Sequence, residues 1–337
     1  MKAVWYDRTG PAAQVLNYGE WPNPQPGTGE VRVRLHASGV NPSDVKTRDG
    51  LRGPMTQPFQ IPHSDGAGVI DAVGDGVSAD RVGARVYVWN GAWRRPAGTC
   101  AQFICVPAEQ ALPLPDTVDF ATGACLGIPA MTAAWALFAD GDITGQTVLV
   151  AGGAGAVGEI AIQLARWAGA TVIATVSSAE KAAVASAAGA HHVINYRNDD
   201  VLAAVMACTG DAGVDRVVEV EFGGNLALTA QIIKVGGVIA AYGSMASPTP
   251  ELPFYALMFR NVTLRMLLVY LLNPAERAIV AARLAAAMAD GALHPRIALR
   301  VPLEQTAAAH EAVESGAVES GAVESGALIG NVVIDIA

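Results

Sequence analysis

A run of small residues, AGGAGAVG at positions 151–158, lies between an apolar segment and a helix-like pattern. A tight strand-to-helix turn that brings backbone N–H groups close to a ligand leaves no room for side chains, so Gly155 and Gly158 matter most. The N-terminus of the following helix adds favourable partial charge for an anion. Between a strand and a helix, this spacing predicts a site for the pyrophosphate of a dinucleotide.

The second strand of such a unit often ends in a carboxylate, about 20 residues beyond the glycines, that holds the ribose 2′-hydroxyl of NAD. The sequence there reads TVSSAEK, with Ser177 and Ser178 in its place and Lys181 following. Hydroxyl groups and an ammonium bind a 2′-phosphate, which a carboxylate would repel. The pattern favours NADPH as cofactor. The alternative is that Lys181 is an ordinary solvated lysine whose charge is cancelled by Glu180.

Residue types that bind metals are sparse. No CxxC pair or regular framework is formed by the four cysteines, Cys100, Cys105, Cys125 and Cys208. His63 stands close to Asp65 in the turn PHSD, but a lone histidine supplies too few ligands for a metal. We therefore predict no metal site and a structural role for His63.

These candidate residues depend on the elements that carry them. The first 120 residues or so contain short β-like runs separated by Gly and Pro, which predicts a largely β domain. From about residue 147, apolar runs alternate with Ala-rich helical stretches, the pattern of βαβ units on a parallel sheet. The predicted strands of this part are Thr147–Ala151, Thr171–Val176, His192–Asn195, 215–220 and 237–242. A helix is predicted at 274–290, and the late runs RIALRVPL and GNVVIDI are expected to return to the first domain.

Length and composition narrow the class of protein. The 337 residues suffice for two domains, and 52% hydrophobic with 16% charged residues indicates a compact globule. A formal net charge of -9 argues against a nucleic-acid partner, which would need clustered Lys and Arg. The opening MKAVWYDRTGP does not resemble a signal peptide, and the late run MLLVYLL is far shorter than a membrane span. We expect a cytoplasmic protein without a membrane segment.

The pentapeptide AVESG occurs in three tandem copies at 312–326. A period of five cannot keep one face of a helix apolar, so neither a coiled coil nor a solenoid is predicted. We expect a helix closed by a glycine cap at Gly316, followed by two copies that lengthen a surface connection. The alternative is a role in binding a partner.

Motifs spread over nearly the whole chain carry a family resemblance. They are GVNPSDVKTRDG from Gly39, IPHSDGAGVIDAVGDGV from Ile61, ADRVGARV from Ala79, LGIPAMTAAWAL from Leu126, VLVAGGAGAVGEIAIQLA from Val148, AGAHHVINYR from Ala188 and GALIGNVVI from Gly326. With these motifs the chain resembles the medium-chain dehydrogenase/reductase superfamily and, within it, the zeta-crystallin-type quinone oxidoreductases. The resemblance implies an α/β fold and a homodimer. Its domains would be a GroES-like, largely β catalytic domain at 1–123, a Rossmann doubly wound parallel-sheet domain for NADP at 124–262, and a returning segment at 263–337.

Zinc-dependent alcohol dehydrogenases of that superfamily carry Cys, His and Cys ligands in three of these motifs. The resemblance puts Asn41, Ser64 and Ile128 at the three positions, and these side chains make no competent zinc site. Without a Lewis acid, the substrate must stabilise its own developing charge. Quinones and α,β-unsaturated carbonyl compounds do so, and we expect a small-molecule substrate of this kind.

The resemblance also implies which residues bind NADPH. Asn41 and Thr132 would lie beside the nicotinamide. The pyrophosphate would be faced by Gly155, Ala156 and Val157. The 2′-phosphate and the cleft wall would be contacted by Ser177, Lys181, Tyr196, Gly243, Ser244, Leu268 and Asn331. A plain packing or capping role is the alternative for each of these residues.

Two positions depart from the family pattern. Lys46 stands where a tyrosine often lines the quinone pocket, and Asn331 stands where a basic residue is common. A lysine there suits an acidic or CoA-linked enone better than a bulky neutral quinone. The candidate catalytic residues are Asn41, Lys46, Arg48 and Thr132. The alternative for Lys46 is a solvated ion-pair network with Asp44 and Arg48.

Three functions are therefore open on sequence grounds. The main hypothesis is an NADPH-dependent, zinc-free reductase of quinones or activated alkenes. The alternatives are a reductase of enoyl or acrylate-type carboxylates or CoA thioesters, and a non-catalytic NADPH-binding protein.

Overall fold

A computed structural model describes residues 1–318 and 328–336, without the side chains of residues 317 and 318. In chain order, the strands are β1 (Lys2–Trp5), β2 (Asn17–Glu20), β3 (Glu30–Val40), β4 (Asp65–Val73), β5 (Arg85–Val88), β6 (Phe103–Pro107), β7 (Ala111–Pro113), β8 (Thr147–Ala151), β9 (Thr171–Val176), β10 (His192–Asn195), β11 (Val214–Glu219), β12 (Ile233–Ala241), β13 (Thr263–Met266), β14 (Ile297–Pro302) and β15 (Asn331–Asp335). The α-helices are α1 (Ala12–Val15), α2 (Pro42–Asp49), α3 (Phe120–Gly123), α4 (Met131–Phe138), α5 (Ala156–Trp167), α6 (Ala179–Ala187), α7 (Val201–Thr209), α8 (Phe222–Ile232), α9 (Phe254–Met258), α10 (Pro274–Ala289) and α11 (Thr306–Val318). Within the described ranges, none of the helices has both the length and the apolar character that crossing a bilayer requires.

The first compact unit comprises Met1–Ile128 and Arg296–Ala337. Its main sheet has the order β14-β15-β3-β4-β5-β7, and β6 pairs with β3 as well. Along β3, alternate residues Val31, Val33 and Leu35 are buried in the core, while the side chains between them are not. The last strand, β15, pairs antiparallel with β3, so the end of the chain contributes to the sheet that its first part begins.

The second unit, Pro129–Pro295, is built on six parallel strands in the order β10-β9-β8-β11-β12-β13. Its central strands are continuous apolar runs, such as Val148–Val150 in TVLVA, because helices cover both faces of such a sheet. The direction of winding reverses between β8 and β11, which are neighbours. In an open α/β sheet, ligands bind beyond the carboxyl ends of the strands at this reversal.

The predicted α/β fold is confirmed, and its strand predictions hold best where the pattern is local. Strands β8, β9 and β10 have the predicted bounds. Strand β11 begins one residue earlier, and β12 begins at Ile233 because that residue pairs with Val214 ahead of a register irregularity. The helix predicted at 274–290 is α10, which ends at Ala289.

The units divide the chain at residues that differ from the predicted boundaries. Residues 263–295 were expected in the returning segment, but β13 pairs in parallel with β12 and α10 belongs to the same unit. The return begins only at Arg296. Residues 124–128 lie with the first unit, where the backbone N–H of Ile128 donates a hydrogen bond to Asp65.

Helix α11 corrects the expectation for the first AVESG copy. The helix continues through Gly316 to Val318, so Gly316 is not a terminal cap. Val313 is buried and Glu314 forms an ion pair with Arg48, and these contacts support the helix up to the position of the glycine. Most of the two later copies, residues 319–326, lies outside the described residues.

Candidate functional site

The glycine run forms the turn between β8 and α5. Gly152 has a φ of 67°, which favours glycine, and a Cβ on Gly158 would lie 2.3 Å from the Gly152 carbonyl oxygen. Gly155 is the N-cap of α5 and is exposed, with Ala156 and Val157 half-buried after it. Gly158 therefore allows the turn to pack closely, and the backbone near Gly155 is the part that is open to an anion. This geometry fits a pyrophosphate at the helix N-terminus.

The carboxyl ends of β9 and β10 bring together polar groups for a second anion. Lys181 Nζ donates a hydrogen bond of 3.1 Å to Ser177 Oγ. Ser178 Oγ instead accepts a hydrogen bond from the backbone N–H of Lys181, so that hydroxyl caps α6. Tyr196 follows β10, donates its backbone N–H to Val176 O and has a 49% exposed side chain. Ser177, Lys181 and Tyr196 thus follow neighbouring strands at one edge of the sheet.

The ends of β11 and β12 contribute two predicted residues with strong structural constraints. A Cβ on Gly243 would lie 2.3 Å from the Val220 carbonyl oxygen, so only glycine fits without displacement. The Ser244 hydroxyl accepts from the Gly223 N–H at 2.9 Å and donates to the Ser247 carbonyl at 2.6 Å. Both residues shape the loops at this edge.

The second unit also contains Thr132 and Leu268. Thr132 is buried in the first turn of α4, and Leu268 is 43% exposed just beyond β13. Glu219, which sequence reasoning missed, is buried at the end of β11, next to the reversal. Its carboxyl accepts from the Glu221 N–H and from Asn225 Nδ2, and burial raises its pKa. The signal for it was an acidic residue at the end of an apolar strand.

In the first unit, Asn41 donates hydrogen bonds to two buried carboxyl groups. Its backbone N–H donates to Asp44 Oδ2 and its Nδ2 donates to Asp65 Oδ2, each at 2.8 Å. The Ile128 N–H donates to the same Asp65 oxygen at 2.9 Å. Two of the three positions matched to zinc ligands therefore converge on one carboxyl group. Burial raises the pKa of Asp44 to about 7 and that of Asp65 well above its ordinary value.

Arg48 is not placed to contact a substrate, which corrects the prediction that it is catalytic. Its side chain is fully buried, and its guanidinium donates to the Gly10 carbonyl and to Glu314 on α11. Its Nη1 also lies 3.8 Å from Asp49 Oδ1. Since Asp44 is buried against Asn41, the alternative of a solvated network is wrong as well.

Lys46 and Asn331 occupy different environments. Lys46 is half-buried on α2, and desolvation together with the charge of Arg52 lowers its pKa. Asn331 begins β15, where its backbone N–H and its Nδ2 both donate to the Arg296 carbonyl, at 2.8 and 3.0 Å. The Asn331 amide therefore secures the return of the chain, and its place at the cleft wall stays a prediction.

His63 has partners on both ring nitrogens. Its Nδ1 lies 2.9 Å from Ser38 Oγ and its Nε2 lies 2.8 Å from His310 Nε2. Burial lowers the pKa of His63 to about 3. Among the side chains that the structure describes, no three or more His, Cys, Asp or Glu are grouped so that they could hold a metal ion.

Two family models match the chain. The alcohol dehydrogenase GroES-like domain matches residues 27–116, and the model described as zinc-binding dehydrogenase matches residues 156–286. The second match lies within the unit Pro129–Pro295 and begins at Ala156, the first residue of α5. Asn41 falls within the first match, and Ser64 does too.

Known proteins resemble the chain over most of its length. Quinone oxidoreductase from Rattus norvegicus is 33% identical over 86% of this chain and 87% of the rat protein. The 2-haloacrylate reductase from a Burkholderia species is 34% identical over 85% of this chain and 87% of that protein. The crystal structure of Escherichia coli quinone oxidoreductase complexed with NADPH matches with a TM-score of 0.82 at 25% identity, covering 99% of this chain and 100% of that one.

Proposed function

The chain belongs to the medium-chain dehydrogenase/reductase superfamily, in its quinone oxidoreductase family, and is an oxidoreductase; we propose that it uses NADPH to reduce quinones or α,β-unsaturated carbonyl compounds without a metal ion. The observation that carries the cofactor assignment is the hydrogen bond between Lys181 and Ser177 at the edge of the parallel sheet. A relative of known structure is complexed with NADPH, which supports the same choice.

Each part of the cofactor has residues that fit it. The exposed backbone at Gly155 and the first turn of α5 would hold the pyrophosphate. Ser177, Lys181 and Tyr196 would hold the 2′-phosphate. Asn41 and Thr132 are proposed to lie beside the nicotinamide. Bound NADPH supplies the hydride.

The metal-free part of the proposal rests on the surroundings of Asn41. Its amide and the Ile128 N–H are both donors to Asp65, an arrangement that offers a metal neither thiolate nor imidazole. What these residues contribute is placement, because an activated alkene or quinone delocalises the charge that the hydride brings. Saturated ketones lack that delocalisation and are expected to be poor substrates.

A second candidate substrate class is an α,β-unsaturated carboxylate. One relative is a 2-haloacrylate reductase, and Lys46 with Arg52 supplies two positive charges near α2. A carboxylate substrate would raise the pKa of Lys46 again by pairing with it.

The test is a substrate panel with metal-stripped protein, in which turnover is measured as the loss of NADPH absorbance. The panel contains 1,4-benzoquinone, methyl vinyl ketone, 2-chloroacrylate and cyclohexanone. We expect turnover of the quinone or the enone that is unchanged by EDTA, and little turnover of cyclohexanone. Chelator-sensitive alcohol oxidation, or reduction of cyclohexanone alone, would overturn the proposal. Saturable NADPH binding with no turnover of any compound would favour the non-catalytic alternative.

We also propose a homodimer. Strand β13 forms one end of the parallel sheet in the described residues, and Met266 on it is 64% exposed. Nearby in sequence, Phe259 is 78% exposed. A second copy of the chain at this edge would cover apolar surface. Sedimentation equilibrium should give twice the chain mass, and a monomer at micromolar concentration would contradict it.

A further inference from the structure

We infer that Asp65 is a positioning residue: its carboxyl group sets the orientation of the Asn41 carboxamide, and a one-way chain of hydrogen bonds from His310 holds its backbone. The inference rests on the proposed function, because it takes Asn41 to be part of the reductase site. Its parts all lie in the first compact unit.

The Asn41 amide and the Ile128 backbone share one oxygen of Asp65. The Ile128 N–H donates to Asp65 Oδ2 at 2.9 Å. The Asn41 NH₂ donates to the same oxygen at 2.8 Å. The carboxamide oxygen of Asn41 is thereby fixed on the other side, away from Asp65.

The Asp65 carboxyl has no room to turn. Its residue is fully buried, and a Cβ built on Gly127 would lie 2.2 Å from Asp65 Oδ1. That close approach means that the carboxyl fills the space beside Gly127, which only a residue without a side chain leaves open. Ile128, which donates to Asp65, follows directly.

The backbone of Asp65 is held by hydroxyl groups whose proton directions can be worked out. Thr99 Oγ1 lies 2.5 Å from the Asp65 carbonyl oxygen and must donate to it, since a carbonyl has no proton. Because the single hydroxyl proton of Thr99 makes that bond, Thr99 Oγ1 accepts a hydrogen bond from Ser38 Oγ at 2.7 Å. Ser38 Oγ is 3.4 Å from the same carbonyl, beyond the usual range of an O–H···O bond.

The chain continues into the two buried histidines. The hydroxyl proton of Ser38 makes the hydrogen bond to Thr99, so Ser38 Oγ accepts a hydrogen bond from His63 Nδ1–H at 2.9 Å. A neutral imidazole protonated on Nδ1 has an unprotonated Nε2, which accepts from His310 Nε2–H at 2.8 Å. Every hydrogen bond therefore runs in one direction, from His310 to the Asp65 carbonyl.

This chain explains the backbone of His63. Its φ is 76°, in the left-handed region that side chains rarely adopt. Hydrogen bonds at both ring nitrogens hold it there, two residues before Asp65. Asp65 is thus fixed through its carbonyl and through its carboxyl, and Asn41 is fixed through Asp65.

The test compares Asp65→Ala and Asp65→Asn with a matched control, Asp71→Asn. Asp71 lies on the same strand and pairs with Arg32, away from Asn41. With 1,4-benzoquinone, Asp65→Ala should lower kcat about tenfold and change the Kd for NADPH less than about twofold. Asp65→Asn should stay within about threefold of the unaltered protein, because its carbonyl oxygen accepts the same two hydrogen bonds.

A double variant separates positioning from general damage. If Asp65 acts through Asn41, the kcat of Asn41→Ala/Asp65→Ala equals that of Asn41→Ala alone within about twofold. Multiplied losses in the double variant, or a tenfold loss in Asp65→Asn, would overturn the inference. Should Asp65→Ala not fold, Asp65→Leu, which removes both acceptor oxygens at similar side-chain volume, takes its place in the single and the double variant.

A measurement without turnover keeps the inference separate from the proposed function. The side-chain NH₂ signal of Asn41, assigned by its absence in Asn41→Ala, should show slowed hydrogen exchange in the unliganded protein. The slowing should persist in Asp71→Asn and Asp65→Asn and vanish in Asp65→Ala. Fast exchange in the unaltered protein would overturn the inference, even if the reductase activity is found. Slow exchange without any turnover would overturn only the proposed function.

Discussion

Lys181 Nζ donates a 3.1 Å hydrogen bond to Ser177 Oγ, so an ammonium and a hydroxyl lie together beyond the carboxyl end of β9. A 2′-phosphate placed there would accept from both groups, whereas the 2′-hydroxyl of NADH would gain little from the ammonium. The first prediction tests this pair.

Replacing Lys181 by Ala should weaken NADPH binding by about 1 to 3 kcal/mol, the scale of a charge-assisted hydrogen bond, and leave NADH binding nearly unchanged. Titration of both cofactors by fluorescence measures the difference. The control is Lys234→Ala, which removes a lysine paired with Asp215 at the opposite end of the strands. Equal affinities of the unaltered protein for NADPH and NADH would contradict the phosphate site.

Replacing Asn41 by Ala should lower turnover about tenfold, because misplaced reactants lose much of their rate advantage. NADPH affinity should be nearly unchanged, since the phosphate-binding residues are elsewhere in the sequence. Steady-state kinetics with 1,4-benzoquinone and a separate binding titration distinguish the two effects. Asn17→Ala, on the exposed strand β2, serves as control. A loss confined to NADPH affinity would assign Asn41 a different role.

Asp44 should make the free energy of unfolding fall as the pH rises. Burial raises its folded pKa to about 7, above the ordinary value of about 3.9, so the unfolded state releases this proton first. The stability associated with Asp44 is therefore complete below about pH 4 and is lost as the pH passes 7, with a slope of at most about 1.4 kcal/mol per pH unit. The free energy of unfolding, measured by urea titration at about pH 6 and pH 9, should differ less between the two pH values in Asp44→Asn than in the unaltered protein. Asp116→Asn, at a 95% exposed side chain, should behave like the unaltered protein.

The buried pair His63 and His310 should make the free energy of unfolding fall as the pH is lowered. Burial lowers the pKa of His63 to about 3, and that of His310 well below its ordinary value. Such groups contribute stability that is present above about pH 6.5 and lost as the pH falls toward the folded pKa. His310→Gln keeps a donor for His63 and removes one titrating ring, so stability should fall less steeply between about pH 6 and pH 4. His294→Gln, at an exposed histidine, is the control. Equal acid sensitivity of His310→Gln and the unaltered protein would contradict neutral burial of His310.

Local features of the chain could be predicted because each is encoded within a short stretch. The turn at Gly155 and Gly158 needs only the chemistry of glycine between a strand and a helix. The bounds of β8, β9 and β10 follow from apolar runs separated by helical patterns. Ser177 directly follows β9 and Lys181 lies in the first turn of α6, so the short connection between strand and helix brings them together.

Other features came only from the folded chain, because they join residues that are distant in sequence. Arg48 and Glu314 are 266 positions apart, and their ion pair turns a candidate catalytic residue into a structural one. His63 and His310 are 247 positions apart, and Asp65 and Ile128 are 63 apart. Strand register and helix packing decide which buried polar groups meet, and a buried polar group must find a partner wherever packing puts one. Periodicity and turn chemistry carry no record of those meetings, so the support of Asn41 by Asp65 could be recognised only in three dimensions.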